Sequence, residues 1–424
     1  MRRRKLVLIG AGSAVFTKGL VADLIEEGSP WGLSLVDISE ENLSVAYGLA
    51  RRMIELRGGD IELSRTLDRR EALGGADVVV TTIAVGGRRG WEADVFIPRK
   101  YGIFQPVGDT IMPGGISRAL RMIPALVDIA NDVSAIAPEA WFFNYSNPMA
   151  ANCRAIRKVT SASVVGLCHG VPHVEAEIAE LAGTRYSKCR FTSVGINHLT
   201  WIVKCAVGKR DGLEMLRERL DEFAGQGIPI PGRAEHIFSF EMFKLVGAFP
   251  AVFDRHVTEF FPQLFRDGEH YGKKLGVDRF SFETIIERGD RTFAAMKAQA
   301  EGREPIDEGI FKRSAGEHEK LVEVLNALEA PRAKTFSVNI PNTGQVSNLS
   351  RDFVLECPAR ISSKGMKPVK VGDIPSMCRA TVEKALLVVE LTVEAALERS
   401  RDKLVQALIF DGAVKSTADA GRLA

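Results

Sequence analysis

A thiol and an imidazole offer the clearest chemistry in this chain. Cys168 lies in Gly166-Leu167-Cys168-His169-Gly170 and His198 in Gly195-Ile196-Asn197-His198-Leu199. A thiolate and an imidazole can hold a divalent transition metal and leave coordination positions open for a substrate's hydroxyls. On spacing alone the bland readings stay open: a small buried side chain and a satisfied core histidine. Each residue follows a strand-like segment, so both could leave a sheet at the edge where ligands bind in open α/β folds.

A second constellation opens the chain. Lys5 to Ile9 is a continuous apolar run, followed by the turn Gly10-Ala11-Gly12-Ser13 and helical character from Ala14 to Glu27. A second strand, Leu33 to Val36, ends at Asp37. The glycines let the backbone approach a pyrophosphate at a helix N-terminus, and the acid can bond a ribose 2′-hydroxyl. Its charge favours NAD over NADP. The third glycine of the usual fingerprint is replaced by Val15. The expected cofactor contacts are Gly10, Gly12, Ser13, Asp37 and Thr82, the last ending the buried strand Ala76 to Thr82.

Three further segments carry polar groups. Asn147 precedes Pro148 after the strand Trp141 to Tyr145, and its amide could meet a hydroxyl or simply form a turn. Asp254-Arg255-His256-Val257-Thr258-Glu259 places acids and bases together, compatible with general acid–base work and equally with a solvated surface. Gly108-Asp109-Thr110 and Pro113-Gly114-Gly115 precede a helix bearing Arg118 and Arg121, as a mobile glycine-rich loop or a plain connection would.

Positioning these groups requires a sheet. Strands at residues 5–9, 33–36, 76–82, 141–145 and 163–167 alternate with helices around 42–56 and 117–131. That alternation predicts an α/β fold with a parallel, doubly wound, Rossmann-type sheet. After residue 200 the pattern changes. A strand at 203–206 is followed by helices at 213–223 and 234–246, and one or two long helices from Met377 to Phe410. The expected division is a nucleotide-binding lobe over 1–200 and a mixed α+β lobe over 201–424, with the active site between them.

The bulk numbers agree with this reading. A chain of 424 residues exceeds one ordinary core. It is 46% hydrophobic and 26% charged, with a formal net charge of +2, which gives no reason to expect nucleic acid or an anionic membrane as partner. No apolar run approaches the roughly 20 residues that span a bilayer. Six cysteines without CxxC spacing suggest reduced thiols and a cytoplasmic enzyme.

Taken together these segments resemble glycoside hydrolase family 4, the NAD- and manganese-dependent glycosidases. The resemblance also includes the segment from Asn339 to Leu349 and so runs nearly the whole chain. It implies hydrolysis by redox-assisted elimination, an exception to the usual carboxylate pair. NAD takes a hydride from C3, a base removes the acidified C2 proton, the metal stabilises the enediolate, the leaving group departs, water adds and the hydride returns. By this resemblance Cys168 and His198 are the metal ligands. Asn147, Asn197 and Asp94 contact substrate hydroxyls, and His256 touches the substrate. Asp254 is the base, and His169 the acid for the leaving group.

The same comparison bears on substrate. Trp91 stands where relatives acting on sugar 6-phosphates carry an arginine, and Cys168-His169-Gly170 looks like the form in members acting on uronic acids. The expected substrate is an α-galacturonide or α-glucuronide, with a neutral α-glucoside or α-galactoside as alternative. Arg88, Arg89, Arg255 and Arg291 are available for a uronate carboxylate. A homodimer or homotetramer is implied by resemblance alone. The rivals are an NAD-dependent 2-hydroxy-acid dehydrogenase and a non-catalytic nucleotide sensor.

Overall fold

The computed structural model describes residues 2–13, 16–231, 235–265, 281–311 and 320–424. Ala14, Val15 and Ala234, which the sequence places at helix starts, lie outside them. The strands in chain order are β1 (Arg4–Ile9), β2 (Trp31–Val36), β3 (Ile61–Thr66), β4 (Val78–Thr81), β5 (Trp141–Asn144), β6 (Val164–Gly166), β7 (Cys189–Ile196), β8 (Leu199–Val207), β9 (Arg210–Asp211), β10 (Phe249–Ala251), β11 (Lys334–Pro341), β12 (Val354–Ser362) and β13 (Gly365–Pro368). Among the described residues they form one 13-stranded sheet in the order β10-β8-β7-β12-β11-β6-β5-β4-β1-β2-β3, with β13 on β12 and β9 on β8.

The continuous apolar runs of β1 and β4 have a direct cause. Leu6 and Leu8 enter one core cluster, while Val7 and Ile9 enter another. Val78 and Val80 divide from Val79 in the same way. A strand whose alternate side chains are all buried has both faces covered by helices, which is the doubly wound arrangement.

The sheet is not wholly parallel. β1 to β6 pair in parallel, as the βαβ alternation predicts. β7, β8, β10, β11 and β12 then extend it in antiparallel fashion. The second half of the chain therefore adds strands to the first half's sheet. Residue 200, the expected lobe boundary, lies inside β8 and pairs with Gly195 of β7.

One transverse row of paired residues crosses the whole sheet: Thr66, Val36, Ile9, Thr81, Asn144, Gly166, Asn339, Glu356, Gly195, Thr200 and Ala251. Gly10, Asp37, Thr82, Asn147, Cys168, Asn197, His198 and Asp254 all fall within three residues of it. The register thus collects segments that are far apart in sequence. Among the described residues no helix is long and apolar enough to cross a membrane.

Candidate active site

The nucleotide end is built on β1 and β2. Gly10 has φ of +95°, and a Cβ there would meet the Ile83 nitrogen at 2.7 Å, so only glycine fits. A Cβ on Gly12 would lie 2.8 Å from Asp37 Oδ2. The Gly12 amide donates to that oxygen at 2.8 Å, and Ser39 donates to Oδ1 at 3.0 Å. Thr82 donates its hydroxyl to the Gly10 carbonyl at 2.9 Å, which stitches the loop to the end of β4. Ser13 Oγ accepts from Phe16 N at 3.3 Å. Ile38, beside Asp37, is 95% exposed, an apolar surface an adenine ring could cover. The cradle, the acid and the apolar neighbour fit a dinucleotide. Ile38 was not singled out from the sequence.

The second group of side chains gathers around His198. This residue occupies the two-residue turn between β7 and β8 with φ of +70°. A non-glycine residue there costs about 1–2 kcal/mol, a strain typical of functional positions. His198 Nδ1 lies 2.6 Å from Thr110 Oγ1 and 3.6 Å from Asp109 Oδ1. His256 Nδ1 lies 3.8 Å from the same Asp109 oxygen, and the two imidazole centroids are 4.0 Å apart. Asp109, His198 and His256 could together face one metal ion. Cys168 lies near enough to His198 to raise its pKa, so the expected thiol and imidazole are neighbours. Thiol, imidazoles and carboxylate form a donor set suited to a divalent transition ion.

The charges in this group are mutually dependent. Burial disfavours the charged form of Asp109, but its hydrogen bond with His198 and the charges of His198, His256 and Arg118 hold it well below the usual carboxylate range. Burial also works against a charged His198, yet Asp109 and Cys168 push its pKa up to about 10. Burial and the neighbouring His198 charge keep His256 neutral. A metal bound through His198 must displace that proton.

Two asparagines border the cluster. Asn147 Nδ2 donates to Asp109 Oδ2 at 2.9 Å, and Asn197 Nδ2 donates to Glu356 Oε2 at 3.1 Å. Their Oδ1 atoms are buried without partners among the described residues. Such orphaned acceptors cost free energy unless a ligand hydroxyl satisfies them. Glu356, in the transverse row, also accepts from Thr200 Oγ1 at 3.2 Å, and burial raises its pKa. Glu259 Oε1 accepts the Val107 and Gly108 amides at 2.8 and 2.7 Å, clamping the loop that carries Asp109. Burial pushes Glu259 up to about 8, so it is largely protonated at neutral pH.

Two expected roles meet a different geometry. Asp254, expected as the base, accepts from Phe238 N at 2.5 Å, Ser239 N at 3.0 Å and Ser239 Oγ at 2.6 Å. It therefore caps the Ile237–Val246 helix. In the Asp254–Val257 turn, positions two apart face opposite sides, so His256 reaches the cluster while Asp254 turns away. Asp94, expected on a substrate hydroxyl, is instead closed by Arg121, with both oxygens 2.7 Å from the guanidinium. Ser117 adds a third bond at 3.0 Å. His169 occupies the N-cap position of the Gly170–Leu181 helix next to Cys168, without a side-chain capping bond.

The arginines also sort themselves. Arg88 and Arg89 both bind Asp290, and Arg291 is exposed. Arg255 is half-buried, and its Nε has no partner among the described residues. Asp109 and Glu356 were missed as site residues because one sits in an aperiodic loop and the other in an unrecognised strand. Gly108-Asp109-Thr110 was the sole signal for the first.

A cradle for a dinucleotide beside a buried metal-type donor cluster defines a cofactor-dependent enzyme, and the comparisons specify its class. Residues 5–184 match the family model for family 4 glycosyl hydrolases, and residues 193–414 match that family's C-terminal domain. An alpha-galactosidase of Rhizobium meliloti is 32% identical, covering 96% of this chain and 83% of that protein. An alpha-galacturonidase of Bacillus subtilis is 30% identical, covering 97% and 93%. The structure of a 6-phospho-alpha-glucosidase from gut microorganisms, in complex with NAD and glucose-6-phosphate, aligns with a TM-score of 0.84. It covers 100% of this chain and 96% of that one at 25% identity. The chain belongs to glycosyl hydrolase family 4 and is a glycosidase.

Proposed function

We propose that the chain hydrolyses an α-linked glycoside, with a uronic acid at the cleavage point, using NAD and a manganese ion. One observation carries the reading. Cys168 and His198, the latter grouped with Asp109 and His256, lie within three residues of the same sheet row as Gly10 and Asp37. The similarity to an alpha-galacturonidase and an alpha-galactosidase supports an α-glycoside.

When bound, the dinucleotide would exchange hydride with the sugar and the metal would act as a Lewis acid. Cys168 and His198 would hold the ion, with the Asp109 carboxylate facing the same space. The free Oδ1 atoms of Asn147 and Asn197 accept sugar hydroxyls and so fix the ring. The neutral His256 imidazole, facing the cluster, accepts the substrate proton. His169, beside Cys168, donates to the departing oxygen. Asp254 holds the turn that aims His256. The six free cysteines support a cytoplasmic setting, and a homodimer or homotetramer is the assembly we assign from family resemblance.

The test is a panel of p-nitrophenyl α-galacturonide, α-glucuronide, α-glucoside, α-galactoside and 6-phospho-α-glucoside. Turnover of a uronide only when NAD and Mn²⁺ are both present supports the reading. Net NADH accumulation with a hydroxy acid, without glycoside cleavage, would contradict it.

A further inference from the structure

A guanidinium taken out of bulk water ordinarily meets a carboxylate. Arg121 has Asp94, Arg88 has Asp290, and Arg99 has Glu283. Arg118, on the Met112–Ile136 helix one turn before Arg121, does not. Asp109 and Asp94 act on it only at a distance, and burial lowers its pKa.

Its pose is nevertheless fixed. Nε donates to the carbonyl of Asn147 at 3.1 Å. The guanidinium carbon stands 5.8 Å from the Trp91 ring centroid, and the Trp91 Nε1 is itself held by the Val107 carbonyl at 2.7 Å. Nη1 and Nη2 have no partner among the described residues and are not sealed off from open space. Asn147 therefore carries Arg118 on its backbone oxygen and Asp109 on its side-chain nitrogen. A positioned fork with two free, parallel donors suits a planar two-oxygen anion better than a hydroxyl or a tetrahedral group.

We propose that Arg118 determines substrate specificity by gripping the C6 carboxylate of an α-uronide through Nη1 and Nη2. This rests on the glycosidase reading above and adds the residue that selects the acid. Trp91 and the Asn147 carbonyl act as positioning groups for it.

The experiment uses the NAD- and Mn²⁺-loaded enzyme. It compares wild type, Arg118→Gln and Arg118→Lys for calorimetric binding of D-galacturonate, D-galactose and D-galactose 6-phosphate. The same variants are assayed for kcat and KM on p-nitrophenyl α-galacturonide and α-galactoside. In Arg118→Gln, uronide selectivity is expected to fall by about tenfold to a hundredfold, mainly through KM. Arg118→Lys should sit between, because an ammonium keeps the charge and loses the fork. If wild type prefers uronates and both variants keep that preference, the Arg118 assignment is overturned while the glycosidase reading stands. If wild type shows no preference for uronates over galactose, the uronide reading and this inference fall together. Arg118-dependent binding of the 6-phosphate in place of galacturonate would overturn the carboxylate. Retained NADH affinity in the variants serves as the folding control.

Discussion

Asp109 Oδ1 stands 3.6 Å from His198 Nδ1, with Thr110 Oγ1 bonded to both residues at 2.7 and 2.6 Å. The loop before the Met112–Ile136 helix is thereby locked to the β7–β8 turn. Glu259 holds the same loop from the other side through the Val107 and Gly108 amides. Removing the charge of Asp109 should weaken the cation site while leaving the loop in place. Asp109→Asn is expected to lower Mn²⁺ affinity by about tenfold or more, read from the electron paramagnetic resonance of free Mn²⁺. Unchanged affinity would place the ion away from this cluster.

The assignment of His256 over Asp254 has a clean double test. Asp254→Asn loses charge-assisted bonds at a helix start, worth about 1–2 kcal/mol. It should lower Tm by about 1–2 °C and change kcat by less than about tenfold. His256→Gln should leave Tm nearly unchanged and reduce kcat by about 10²–10⁴-fold, the usual contribution of a positioned base. The reverse pattern would return the base to Asp254.

Asp37 accepts two amides, one on each oxygen, from Gly12 and Ser39. Asp37→Asn keeps the shape and removes the charge. NADH affinity, followed by fluorescence titration, is expected to drop about tenfold. Discrimination against NADPH should also narrow, because less charge remains to repel a 2′-phosphate. Identical affinities in both proteins would mean the dinucleotide does not reach Asp37.

Stability should carry a signature from Glu175. Burial is the main reason its pKa is raised from 4.5 to about 7, despite bonds from Ser193 Oγ at 2.5 Å and Tyr186 Oη at 3.1 Å. The folded state therefore binds this proton more tightly than the unfolded state. The stabilisation is full below about pH 4.5 and is lost as pH rises through about 7. Glu175→Gln should show a smaller fall in Tm between about pH 5 and pH 8 than wild type. The corresponding difference in unfolding free energy is expected to be on the order of 1–3 kcal/mol. Parallel Tm curves would show that Glu175 keeps an ordinary pKa.

Much of this arrangement is legible in the sequence, for definite reasons. β1 and β4 are buried on both faces, so they read as unbroken apolar runs, and the Gly10 turn and Asp37 follow from them. β12 is not legible. Glu356 and Pro358 interrupt its apolar pattern, yet the strand is buried because Glu356 is bonded to Asn197 and Thr200. β3 was missed because it is a half-exposed edge strand of mixed polarity. The transverse row depends on register between distant strands, which local patterning does not encode. Asp254 shows the finer limit. The motif picked out the segment that carries His256 to Asp109 and His198, but which of two residues two positions apart faces that cluster is a matter of how a single helical turn is rotated.

The most direct measurement is hydrolysis of p-nitrophenyl α-galacturonide in D₂O with NAD and Mn²⁺, followed by NMR of the released sugar. If proton removal next to a transiently oxidised carbon is the route, the sugar will carry deuterium at C2 and no NADH will accumulate. Release of a sugar with its original hydrogen at C2, at the same rate with or without the dinucleotide, would contradict the account.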